Sequence, residues 1–325
     1  MVTQVTVAPR GSRRRIFGET GLDSILPYLL LAPTVVLVLA VLVYPLIEGV
    51  RTSTGFYRFG RRLRDVGLDN YVQALHDPAF LGSVVTTLEF VAAVVILETA
   101  LGLALALLCA REVRFVRAVR GSLILPMIVT PVVVGIIFRL IYASDVGLVA
   151  TLARSVGLAP PEILGRPNAA FAGLVFLDVW EWTPLMFLIL LAGIQSLPVE
   201  PFEAAKVDGA GAWRTFVDHT LPMLRPTILV AVTLRSIDAL TTFDQVYVLT
   251  RGGPGTATQL ISIYGYQTFF QFQQFGYAAA LLIMVALVVI AAAGLAVGSS
   301  GKLGMSARRP PVSVRFGRMR QTSPT

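Results

Sequence analysis

Cysteine is nearly absent: Cys109 stands alone in 325 residues, which excludes an internal disulfide. Histidine is almost as scarce, and His76, His219 and Cys109 make no metal-ligand spacing. Charged residues supply only 14% of the chain and hydrophobic ones 55%, a balance that excludes an ordinary soluble domain of this length. The long apolar runs lack period-two alternation, which argues against a membrane β-barrel and for helices. No phosphate-binding loop is present either. Its nearest lookalike, Gly298-Ser299-Ser300-Gly301-Lys302-Leu303, has the wrong spacing and ends in Leu, leaving magnesium without a hydroxyl ligand. The formal charge of +8 would raise nucleic acid as a partner in a soluble protein. Here the arginines gather at the edges of apolar runs, so membrane lipid headgroups are the implied partner and nucleic acid is not.

What is present is a set of apolar runs near the roughly 20 residues needed to cross a hydrocarbon core. We read an all-α integral membrane protein with six spans: Leu26 to Ile47, Ser83 to Leu108, Leu123 to Tyr142, Ala170 to Ser196, Thr227 to Leu249 and Tyr277 to Val297. The first run is too long for a signal peptide and no small-x-small cleavage site follows it. Pro126 and Pro131 interrupt the third, where a kink is expected. Residues 1–25 and 301–325 are read as basic tails flanking a single membrane domain, 26–300. Six spans place both termini on one side. Of the lysines and arginines, four in the head, four in 111–120, three in the polar stretch 198–226 and six in the tail would then lie inside. Five, two and one fall in the three outer connections. The bias puts both termini in the cytoplasm. Arg51, Arg58, Arg61, Arg62 and Arg64 in the first outer loop pull the other way.

The stretch between spans four and five is polar and turn-rich. Pro198 and Pro201 open it, Glu200 and Glu203 suit a helix start, and Gly209 and Gly211 permit a reversal after Asp208. Trp213 and Phe216, three apart, share a helical face, and Pro222 and Pro226 close the unit. The expected shape is a helix–bend–helix lying across a membrane surface; an amphipathic interfacial helix is the plainer reading.

Glu203-Ala204-Ala205, then Asp208-Gly209-Ala210, then Trp213, Phe216 and Leu221-Pro222 resembles the cytoplasmic coupling loop of ATP-binding-cassette importer permeases, with His219 where Ile or Val is usual. A second segment resembles the carbohydrate branch of that family. It runs from Phe243-Asp244-Gln245-Val246-Tyr247 to Gly252-Gly253-Pro254, with Thr258, Tyr264, Tyr266, Phe269 and Gly276-Tyr277 beyond. The resemblance spans roughly residues 25 to 300. It implies a type I importer permease fold, a second homologous permease, ATPase subunits that bind ATP and magnesium, and an extracytoplasmic solute-binding protein. No cofactor is then held by this chain. Glu203, Ala204, Ala205, Asp208, Gly209 and Trp213 would couple it to the ATPase.

Charged groups inside spans raise a functional question by default. Asp178, Trp180, Glu181 and Trp182 offer the carboxylates and flat rings that sugars need, although Trp also favours membrane interfaces. Arg235 and Asp238, three apart, can pair with each other, and Asp244 follows on the same expected span. These seven form the candidate substrate path. Glu89 and Glu98 lie nine apart, about 900° of rotation, on opposite faces, and neither stands out. A membrane-embedded lipid-modifying enzyme using Asp178, Glu181 or Asp238, a scaffold, and an importer permease for a non-sugar solute remain the alternatives at this level. No repeat relates 26–142 to 170–297, against a self-sufficient secondary transporter.

Overall fold

The computed structural model describes residues 21–58, 60–110 and 114–306. Helix α1, Gly21–Val38, passes through a π-helical turn, Leu39–Val43, into α2, Tyr44–Ser53. The wide turn stands just before Pro45, which has no N–H to donate, and Tyr44 reaches one residue further back than usual, to Leu39. Residues Leu26–Ser53 are long and apolar enough to cross a membrane. This first helix, through Thr52, forms one unit and Ser53 onward another.

The expected polar loop 48–78 is structured. Strands β1, Gly55–Arg58, and β2, Arg61–Asp65, form an antiparallel ribbon, followed by α3, Asp69–His76. The ribbon is the exception to the all-α expectation among the described residues. Helix α4, Pro78–Cys109, starts where Pro78 occupies a first-turn position and the Asp77 carboxylate accepts the Ala79 N–H at 2.9 Å. Helices α5, Arg114–Ile128, and α6, Pro131–Ile141, bend by 97° at the break between them. Pro131 explains the break, since it disfavours helical backbone at Thr130, which is extended. The expected third span is therefore two sharply angled helices, not one kinked helix, and Arg114, Arg117 and Arg120 stand in α5 rather than in a turn.

Helices α7, Leu148–Ser155, and α8, Pro167–Gln195, follow, then α9, Glu200–Val207, and α10, Ala212–Thr215. A second π-helical turn, Phe216–Thr220, stands just before Pro222, as the first does before Pro45. Helix α11, Leu221–Leu240, therefore starts ahead of Pro226, which lies inside it and does not close the preceding unit. The expected fifth span is not continuous: it ends at Leu240, and α12, Asp244–Leu249, is a separate short helix. The connection 250–275 contains α13, Ile261–Tyr266, with Ile263 fully buried. Helix α14, Phe275–Ser306, is last, and the Gly298–Leu303 lookalike is part of its continuous helix.

Three apolar clusters stack along the bundle. Ala106, Cys109, Phe187, Leu190 and Leu224 close one end; Phe90, Val94, Phe138, Leu174 and Val246 fill the middle; Ala74, Phe80, Tyr264, Tyr277 and Leu281 close the other. Helices α4 and α8 thus run side by side in one direction. In lipid, burying such groups yields dispersion contacts but little solvent-transfer gain, and hydrogen bonds between helices add to that packing. At the third cluster Asp77 is one such link: the Tyr264 and Tyr277 hydroxyls each donate to its Oδ2 at 2.6 Å. Burial alone would raise this carboxyl, but those two hydroxyls and the amides of Ala79 and Phe80 hold it below the ordinary aspartate range.

Candidate functional sites: a surface elbow and a buried charge hub

The elbow comprises α9, its reversal and α10. Glu200 and Glu203 occupy the first turn of α9, where carboxylates complement the positive end. The helix ends in two nested bonds: the Ala210 N–H donates to Ala205 O at 2.9 Å and the Gly209 N–H to Lys206 O at 3.1 Å. Gly209 has φ +72°, the left-handed conformation such an end requires and glycine adopts without strain. Nothing lies within 4 Å of where its Cβ would stand. Ala205 is buried, anchoring α9, while Glu203, Ala204, Asp208 and Gly209 are exposed. Trp213 meets Phe216 in a tilted contact at 5.8 Å yet is 77% exposed, and Val207 is 88% exposed. Two large apolar side chains are left uncovered on a polar turn, at the bundle end closed by Leu190 and Leu224.

The hub lies in the bundle. Arg235 on α11 is fully buried and grips three carboxylates. Its Nε and Nη2 donate to Glu98 on α4 at 2.7 and 3.1 Å, a two-pronged pair. Nη2 also donates to Asp178 on α8, and Nη1 to Asp238 at 2.8 Å. Gln245 on α12 donates to the second oxygen of Asp178 at 3.0 Å. The Trp182 ring covers the guanidinium at 5.3 Å. One cation cross-ties α11, α4 and α8, and Gln245 joins α12 to them through Asp178. The i,i+3 pair of Arg235 and Asp238 is formed but is the most exposed arm, with Asp238 49% accessible. Sequence reasoning passed over Glu98 and did not single out Gln245. The legible signal was an acid alone in an apolar run; Glu89 is exposed and Glu98 is not, as their opposite faces require.

The seven residues proposed for a substrate path do not share one cavity. Asp178, Arg235 and Trp182 are in the hub, and Asp238 is on its rim. Glu181 is buried beside them, its Oε2 without a hydrogen-bond partner. Trp180 faces away, packed on Phe138 at 5.3 Å, and borders an apolar groove of about 400 Å³ with Leu101, Pro126 and Phe187. Asp244 is exposed at the start of α12. Beside it, aromatic rings form a chain. Phe243 stacks on Tyr247 at 5.3 Å, Tyr266 contacts both, and Phe270 and Phe269 continue it at 4.9 Å per step. Phe243, Tyr266, Phe269 and Phe270 line a groove of about 410 Å³. Arg139 donates to Val248 O at 3.1 Å, tying α6 to α12.

Comparison with known proteins places this geometry. Residues 99–297 match the profile of the binding-protein-dependent transport system inner membrane component family. The chain is 38% identical over 225 residues to the trehalose/maltose transport system permease protein MalF of Thermococcus litoralis, covering 69% of this chain and 76% of that one. It is 35% identical over 267 residues to the sulfoquinovosyl glycerol transport system permease protein SmoG of Agrobacterium fabrum, covering 81% and 86%. A chain from the crystal structure of a bacterial alginate ABC transporter, in complex with an alginate pentasaccharide-bound periplasmic protein, has the same fold. Its TM-score is 0.76 at 23% identity, covering 87% of this chain and 96% of that one. With the match spanning α4 to α14, the chain belongs to the binding-protein-dependent transport system inner membrane component family, and its fold is that of an ABC importer permease.

Proposed function

We propose that the chain is the permease subunit of an ATP-driven importer for a sugar or sugar derivative, gripped by a separate ATPase at the elbow 198–226. The observation that carries this reading is the uncovered face of that elbow, where Trp213 and Val207 stand exposed on a rigidly capped turn. Exposed apolar groups rimmed by polar ones mark a docking surface. Small Ala204 and Gly209 let a partner's backbone approach, while Glu203 and Asp208 offer acceptors at the edge. The sugar assignment is supported by the permeases of trehalose/maltose and sulfoquinovosyl glycerol systems that the chain resembles. In this reading six spans put both termini and the elbow in the cytoplasm, a second permease completes the pore, and ATP and magnesium bind the ATPase pair. A soluble binding protein delivers substrate at the opposite end. The aromatic groove beside Asp244 is the surface best suited to a sugar, since flat rings pack on the apolar face of a pyranose. Tyr266→Ala should raise the KM for sugar several-fold in vesicle uptake.

The coupling test uses the backbone. Gly209→Val places a β-branched residue at φ +72° and distorts the turn, whereas Gly209→Asn fits left-handed backbone. The valine variant should assemble but lose at least tenfold in ATP-driven uptake, and the asparagine variant should stay near wild type. Equal uptake by both would set the coupling role aside.

A further inference from the structure

The ribbon β1–β2 is the strongest concentration of one charge among the described residues that the transport reading leaves without a task. Four arginines stand in Gly55–Asp65 against one aspartate. All five residues of β2 are exposed, and its register sets Arg61 directly opposite Arg58, like charge facing like charge. Arg62 is bridged to Asp65. Phe56, 44% exposed beneath Arg64 at 5.5 Å, and Leu63, 59% exposed, add apolar surface between the cations.

The ribbon is also held rigidly. Asn70 donates to Ser53 O at 2.7 Å and to Gly55 O at 3.2 Å. Gly276 of α14 lies so close that a Cβ there would stand 1.9 Å from Gly55 O. Tyr57 meets Phe275 edge-on at 6.2 Å, and Phe275 meets Phe269, joining the ribbon to the aromatic chain that leads to α12. Its root abuts the cluster of Ala74, Phe80 and Tyr277, at the bundle end opposite the elbow. A rigid, cationic, part-apolar ribbon at that end is built for a partner surface.

Resting on the importer reading, we propose that this arginine ribbon is the docking surface for an acidic patch on the soluble binding protein. Arginine mixed with exposed aromatic and aliphatic groups is the composition of protein interfaces. The planar guanidinium pairs carboxylates two-pronged, and no lysine stands in for it here. Lipid headgroups fit less well, because the anionic surface potential that attracts basic segments belongs to the cytoplasmic leaflet. Opposite charge across such a contact speeds encounter and makes it sensitive to salt.

The test uses the assembled transporter, with its permease partner and ATPase, in nanodiscs of defined lipid. The probe is the transporter's cognate solute-binding protein, titrated for stimulation of ATP hydrolysis. For wild type, the KM for that protein should rise with ionic strength. In R61E/R64E the KM should rise at least tenfold, with the effect on KM rather than kcat, and the salt dependence should flatten or reverse. R61K/R64K, folding equally and keeping the charge, should recover most of the loss. Stimulation of wild type with the same KM and salt slope in R61E/R64E overturns the docking role and leaves the importer reading standing. An effect that follows the anionic lipid content of the nanodisc, and not the binding protein, overturns it in favour of a headgroup surface. A wild-type complex that no binding-protein concentration stimulates sinks the importer reading, and the docking role with it.

Discussion

The hub and the elbow are two polar interruptions of an apolar chain, and they are built in opposite ways. At the hub the cation and two of its three acids are turned inward: Arg235, Glu98 and Asp178 are fully buried, and only Asp238 reaches the rim. At the elbow the backbone satisfies itself through its capped turn, while the side chains Val207 and Trp213 face outward. Charge that is mutually satisfied holds helices together; surface left uncovered is free to meet a partner. The contrast teaches that polarity in a membrane chain signals function only after its partners are counted. Asp178 and Arg235, read from sequence as substrate candidates, are consumed by their own bundle in this structure.

Breaking the hub should produce the largest effect. Arg235→Met leaves two buried carboxylates uncompensated, a change that costs about 3–5 kcal/mol when one partner of a buried pair is removed. The expected result is a sharp fall in the yield and melting temperature of detergent-solubilised protein. Adding Glu98→Gln and Asp178→Asn should recover most of the loss; a single Arg235→Met variant as stable as wild type would contradict the hub's role. Next comes Gln245→Leu, which removes one hydrogen bond to a carboxylate and should cost about 1.5–3 kcal/mol. The elbow should respond differently: Gly209→Val strains the turn by only about 1–2 kcal/mol, so melting should barely move while ATP-driven uptake falls. That divergence of stability from uptake is what separates a docking surface from a structural tie.

The smallest effect per hydrogen bond belongs to Asp77. Its carboxyl is held below the ordinary range in the fold, so its contribution is present above about pH 4 and fades as pH falls through the lowered folded value. Tyr264→Phe with Tyr277→Phe should remove about 1 kcal/mol per hydrogen bond near neutrality. The double variant's melting should also change less than wild type's between pH 5 and pH 3, read by thermal scans across that range.

Much of the bundle was legible because apolar runs of span length report themselves. The elbow was legible because proline, paired glycines and acids at a helix start mark local chemistry within one short stretch. The hub was not, since Glu98 and Arg235 are 137 residues apart and no local period announces their meeting. The break at Thr130 was signalled by Pro131. Its 97° bend was not, because neighbouring packing and not the proline alone sets the angle. The division of the fifth span at Thr241–Phe243 and the helix within 250–275 were hidden for a related reason. Both depend on short apolar pieces, Val246, Leu249 and Ile263, finding buried places made by distant helices.

The most direct test of the elbow as the ATPase's grip is accessibility and cross-linking at Ala204, which is exposed on α9. Cys109, the chain's single cysteine, is replaced by alanine, and Ala204→Cys supplies the probe. The account predicts that a membrane-impermeant maleimide labels this site only in inside-out vesicles. It also predicts that the assembled ATPase protects it and cross-links to it. Labelling from the outer face, or full reactivity in the assembled complex, would contradict it.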